Sequence, residues 1–135
     1  QKRTTPKKNI KRTGGVKNPK IKQLDALWSK IIKLKAGYVC EMCGQTSKAS
    51  GTQSAHYIGR VFHSTRWLLD NGVCLCTSCH MDIDNDPKLK EDFFRKRIGS
   101  NRQDELRTIA YQRIKPDKEK ILEELRAKLK NASSI

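Results

Sequence analysis

Five cysteines and three histidines carry most of the chemistry open to this chain. Four of the cysteines form two Cys-x-x-Cys pairs, Cys40 with Cys43 and Cys76 with Cys79. A two-residue gap lets both thiolates of a pair face one ion, and Zn²⁺ prefers four thiolate or imidazole ligands in a tetrahedron. The spacing predicts one structural Zn²⁺ held by Cys40, Cys43, Cys76 and Cys79. The alternatives are reduced core cysteines, or disulfides in a secreted protein. Two such pairs without an apolar signal segment fit an intracellular metal site better. Cys74 is left over and reads as a small buried hydrophobe. All three histidines, His56, His63 and His80, lie between the two pairs or directly after the second. A neutral imidazole can take a proton from water or ligate a metal, so any reaction centre belongs in this metal-clipped segment.

These residues need elements to hold them. Leu24, Leu27, Trp28, Ile31, Ile32 and Leu34 recur at helical spacing and predict a helix over about 20–35, ending near Gly37. The stretch YVCEMCGQ reads as a zinc knuckle. SAHYIGR and NGVCLC predict two short strands, the second running into a helix near Thr77. Beyond Asp86-Pro87 three helical patterns follow. The first covers 87–97, with Leu89, Phe93 and Phe94 apolar. The second runs from Ser100 to about Ile114, with Ser100 and Gln103 spaced as a capping box. The third opens at Pro116-Asp117 and reaches about Asn131, with Ile121, Leu122, Leu125 and Leu129 on one face. Residues 1–20 mix Pro6, Gly14, Gly15 and Pro19 with lysines and arginines and lack apolar periodicity, which predicts a flexible basic tail. The chain thus divides into a tail (1–20), an N-terminal helix with the clipped core (21–86) and a basic helical region (87–135).

With 135 residues, 36% of them hydrophobic and 32% charged, the chain fits one small domain with a lean core that a metal would help to stabilise. No stretch approaches the roughly 18 apolar residues of a membrane helix. The net charge of +15 is unevenly spread: +11 over residues 1–35, −2 over 36–86 and +6 over 87–135. A slightly acidic centre between two basic arms points to a polyanion, with nucleic acid as the default partner. Lys2, Arg3, Lys7, Lys8, Lys11 and Arg12 of the tail, with Arg60 and Arg66 of the centre, are the candidate phosphate contacts. Arginine suits bidentate phosphate contact.

The run AHYIGR…RWLLDNGVCLCTSCH resembles the ββα-metal motif of HNH nucleases, with a first His at a strand end, an Asn in the loop and a final His on the helix. The matching residues are His56, Asn71 and His80. The pattern H-Y-x-x-R, then R-W with an acid and an Asn, then C-x-x-C-H is similar to that of the phage NinG/Rap-type recombination endonucleases. The resemblance covers about residues 38–85. It implies an α+β fold with a small zinc-clipped, treble-clef-like ββα-metal core flanked by an N-terminal helix and C-terminal helices. It also implies an intracellular, phage-encoded enzyme that hydrolyses phosphodiester bonds in branched DNA, using Mg²⁺ or Mn²⁺ beside the structural Zn²⁺. In that scheme His56 is the general base, Asn71 holds His56 in orientation, His80 ligates the catalytic metal and Arg60 contacts the scissile phosphate. The sequence departs from the pattern at one point. Ala55 stands where HNH sequences commonly carry a metal-binding Asp, and Gln53 where NinG/Rap-like members often carry an acid. His56 itself, His63, Asp82 or Asp84 are the candidates to replace that ligand.

Two other readings compete with a nuclease. One is a non-catalytic zinc module that binds DNA, favoured by the missing carboxylate. The other is a protein–protein adaptor built on the C-terminal helices. Oligomeric state is open, a dimer being one arrangement.

Overall fold

The computed structural model describes residues 19–46 and 51–133. The tail cations from Lys2 to Arg12 lie outside the described residues. Pro19 is buried and Lys20 is the N-cap of the first helix.

Helix α1 (Ile21–Lys35) buries Leu24, Trp28, Ile31 and Ile32, the stripe expected from the periodicity. The knuckle follows. It leads to strand β1 (Thr52–His56), a short helix α2 (His63–Arg66), one 3₁₀ turn (Leu69–Asn71), strand β2 (Gly72–Cys76) and helix α3 (Thr77–Asn85). Helices α4 (Pro87–Ile98), α5 (Ser100–Gln112) and α6 (Lys118–Ser133) complete the described chain. The molecule is a small α+β structure whose two strands pair antiparallel, with Thr52 opposite Cys76 and His56 opposite Gly72.

All five residues of β2 are buried, because both faces of the sheet are covered. Ala55, Val73 and Leu75 belong to one cluster with Ile83, Phe94 and Leu106 from α3, α4 and α5. Cys74 faces the other way, into a second cluster with Leu24, Trp28, Ile31, Trp67, Leu122 and Leu125. The C-terminal helices thus pack on both sides of the hairpin, and α6 lies along α1. The expectation for Cys74 is met: it is fully buried, and burial raises its thiol pKa above the usual value.

The edge of β2 is closed by the knuckle. The Glu41 N–H donates to the Cys74 carbonyl at 2.8 Å, and the Cys74 N–H donates to Glu41 Oε2 at 2.9 Å. Arg97 from α4 pairs with the same carboxylate. These bonds leave no open backbone at that position of the strand.

Two local expectations need correction. The first strand occupies 52–56 rather than the whole of SAHYIGR, because the chain turns at Gly59–Phe62, where the Phe62 N–H meets the Gly59 carbonyl at 3.2 Å. Ser100 and Gln103 do not form a capping box. Gly99, at φ +88°, caps α5, and the buried Gln103 amide donates to the Glu91 carbonyl at 3.0 Å, tying α5 to α4. The tertiary partner outcompetes the local backbone N–H that a capping box would use.

Candidate metal and catalytic site

The four clip cysteines converge, their sulfurs all lying within 4.8 Å of one another. The Cys43 and Cys76 sulfurs are 3.8 Å apart. A tetrahedral ion with sulfurs at about 2.3 Å needs edges of about 3.8 Å, so the cluster could hold a metal ion such as zinc. Backbone N–H groups point at two of the sulfurs. The Cys43 N–H points to Cys40 Sγ and the Cys79 N–H to Cys76 Sγ, both at 3.5 Å. Burial disfavours a Cys40 thiolate, but the N–H groups of Cys43, Cys76 and Met42 outweigh it and bring the pKa down to about 6. Cys76 is also the N-cap of α3, so the clip fixes where that helix begins.

A cleft of about 540 Å³ opens beside the hairpin. His56 from β1, Arg60 from the following turn, His80 and Asp84 from α3, and Lys90 from α4 line it. The opposite wall is α1, through Asp25, Ala26, Trp28 and Ser29. Ser29 and Ser54 join the walls with a 2.8 Å hydroxyl hydrogen bond.

His56 is tightly placed. Its Nε2 lies 2.9 Å from the Arg66 carbonyl. A carbonyl can only accept, so Nε2 carries the proton and the neutral ring keeps its lone pair on Nδ1. The ring stacks on Trp28, with centroids 4.1 Å apart and planes 10° from parallel. Burial, aided by the charges of Arg60 and Arg66, pushes its pKa down to about 4 against the pull of the Arg66 carbonyl. The ring is therefore neutral at pH 7.

Asp25 organises this wall. It accepts from Arg66 Nε at 3.0 Å, Arg66 Nη2 at 2.7 Å and Trp67 Nε1 at 2.8 Å. Burial works against its charge, yet those donors and the Arg66 cation hold its carboxyl below the usual range. Arg66 gives a further bond to the Arg60 carbonyl at 3.0 Å. Its guanidinium is engaged by Asp25 and the Arg60 backbone, and its service to the site is the carbonyl that holds His56.

Asn71 also acts differently from expectation. Fully buried, it accepts from the Ile58 N–H at 2.8 Å and donates to the Ile58 and Thr65 carbonyls, each at 3.1 Å. It closes the loop between the strands across its base, while Arg66 and Trp28 orient the His56 ring.

His80 Nδ1 lies 2.7 Å from Gln53 Oε1, an acceptor when the amide is so oriented, so Nδ1 donates there and Nε2 faces away from Gln53. Asp84 Oδ2 is 3.5 Å from that nitrogen. An imidazole and a carboxylate thus face each other one helical turn apart. Of the candidate replacement ligands, Asp84 and His56 line the cleft. His63 lies elsewhere, against Trp67 and beside Lys115, and Asp82 does not line the cleft. Ala55 points into the core at 1% exposure. Among the described residues, only the cysteine cluster brings three or more metal-binding side chains together.

Asp25, Trp28, Ser29 and Lys90 were not legible as site residues, since each reaches the cleft from a helix distant in sequence. The one available signal was Asp25, the sole acid in the first 35 residues. No protein-family model, no curated protein and no solved structure matches the chain. Among the described residues no helix is long and apolar enough to cross a membrane.

Proposed function

We propose that this protein is a metal-dependent DNA endonuclease of the HNH type, hydrolysing phosphodiester bonds in the cleft beside the hairpin. One observation carries the reading: a single cleft gathers a neutral imidazole (His56), an imidazole–carboxylate pair (His80 and Asp84) and two cations (Arg60 and Lys90). The resemblance of His56, Asn71 and His80 to the ββα-metal pattern supports it. Preference for branched DNA rests on the resemblance to NinG/Rap-type enzymes.

The residues divide the work. Cys40, Cys43, Cys76 and Cys79 hold a structural Zn²⁺ that sets the hairpin against α3. His56 accepts a proton from water at Nδ1 while the Arg66 carbonyl holds its other nitrogen. With a pKa of about 4 it is fully in its base form at pH 7, though a weaker base than one poised near neutrality. His80 Nε2 and Asp84 supply protein ligands for Mg²⁺ or Mn²⁺. When bound, such a cation neutralises charge developing on the phosphate and its leaving oxygen. Arg60 and Lys90 bind non-bridging phosphate oxygens. The net charge of +15 brings the polyanion to the surface.

A second reading, a zinc-containing DNA-binding module without catalysis, is favoured by the shortage of ligands at the second site. The test is incubation with branched and linear DNA in Mg²⁺, in Mn²⁺ and with no added divalent ion. The endonuclease reading expects cleavage only with added metal, and a His56→Ala variant that binds DNA but cuts it more slowly by ~10²-fold or more. Undiminished binding with no cleavage in any metal would establish the binding module instead.

A further inference from the structure

We propose that the apolar tip formed by Val61, Phe62, Tyr111 and Ile114 is a wedge that packs against exposed base faces where a DNA duplex is interrupted or distorted. This rests on the DNA reading above and adds what part of the DNA the protein senses.

Single exposed apolar residues are ordinary, but converging ones call for a partner. Val61, Tyr111 and Ile114 are 71%, 66% and 64% exposed. Tertiary contacts assemble them from two distant segments. Ser64 of α2 donates to the Ile109 carbonyl of α5 at 3.0 Å, which docks the two helices. Phe62 meets Tyr111 edge-on, with centroids 5.5 Å apart. Val61, Phe62, Ala110 and Ile114 line a shared notch of about 80 Å³.

The rim identifies the occupant. Arg113 ends α5 in the left-handed conformation, at φ +53°, and lays its guanidinium over Phe62, 4.7 Å from the ring centre. Lys115 lines the same notch, and no acid does. A protein's apolar face gains little from a notch whose formally charged side chains are Arg113 and Lys115. A base step presents apolar faces flanked by phosphates, which an apolar, aromatic and cationic surface complements.

The tip is continuous with the cleft. In the Gly59–Phe62 turn, Arg60 and Val61 are the two corner residues. Arg60 lines the cleft and Val61 lines the notch. A phosphate held at Arg60 therefore brings the neighbouring base step to Val61. Stacking hides base faces in an intact duplex, so a wedge here discriminates in favour of nicks, mismatches and junctions.

The experiment compares full-length protein with a Val61→Ser/Tyr111→Ser/Ile114→Ser variant, with no added divalent ion, on intact duplex and on the same duplex carrying a central mismatch. All three side chains are mostly exposed, so the fold should survive, and circular dichroism checks that it does. We expect wild type to prefer the mismatched duplex by about tenfold or more, the scale of one stacked base. The variant should lose that preference while keeping its affinity for intact duplex. A preference that survives the substitutions overturns the proposal, as does a wild type that binds both duplexes equally. Self-association of wild type that disappears in the variant would assign the tip to a second copy of the chain instead. Failure to bind either duplex removes the DNA reading and the wedge together, whereas binding without discrimination removes only the wedge.

Discussion

The Trp28 indole lies flat against the His56 imidazole, 4.1 Å between centroids, and Gly72 makes this possible. Gly72 is opposite His56 in the hairpin, and a Cβ there would sit 2.3 Å from Trp28 Cζ2 and 2.9 Å from Ile32 Cδ1. Its backbone is ordinary extended chain at φ −133°, so the requirement is for space alone.

A Gly72→Ala substitution should therefore displace Trp28 rather than strain the backbone. The expected cost is about 1–3 kcal/mol, typical of overpacking, measured by urea unfolding. The His56 pKa, followed by NMR, should rise as the ring loses its cover. An unchanged His56 signal in a destabilised protein would mean that the stack does not set its environment.

His56 also predicts a pH dependence of stability. Its folded pKa of about 4 lies below the ordinary 6.5, so between those values the unfolded chain binds the extra proton. Stability should hold above about pH 6.5 and fall as the pH drops towards 4. The His63 pKa is also lowered, chiefly by burial, so the informative quantity is the difference between wild type and His56→Gln. Parallel urea midpoints across that window would contradict the assignment.

Asp25→Asn removes the carboxylate that holds both Arg66 and Trp67. Loss of about 1–3 kcal/mol is expected for a partly buried charged donor left short of its partner. Because Arg66 carries the carbonyl that anchors His56, the His56 Nε2 proton should exchange faster with solvent. Unaltered exchange would confine Asp25 to a purely stabilising role.

The clip predicts an all-or-none response. Cys40→Ser or Cys79→Ser should abolish bound zinc and cooperative unfolding together, because site and fold form as one event. Cys74→Ser should keep its zinc content, read by metal analysis of the purified protein. A variant at Cys74 that loses zinc would overturn the ligand assignment.

Residues 1–18 hold seven lysines and arginines and no acid. If about half of these engage phosphates, deleting the segment should flatten the slope of log affinity against log salt by about 3, at roughly 0.9 per phosphate on duplex DNA. Discrimination between DNA shapes should persist, since other residues build the cleft and the tip. A slope unchanged by the deletion would remove the tail from the interface.

The features that sequence alone determined are those whose causes are local. Cys-x-x-Cys spacing forces two sulfurs toward one point, so the metal cluster was legible without a fold. The apolar period of α1 and α6 was likewise written in consecutive residues. The choice of partner for a polar side chain is not local. Arg66, Asn71 and Gln103 each had a plausible role in sequence, and each is engaged by an acceptor or carboxylate that packing brought within reach. Buried donors must be paired, and the nearest suitable partner is set by the three-dimensional arrangement. The same reason explains why α1, read only as a packing helix, forms the wall of the cleft through Asp25, Trp28 and Ser29. Its apolar stripe predicted that it would pack, whereas only the folded chain decided that it would pack on His56.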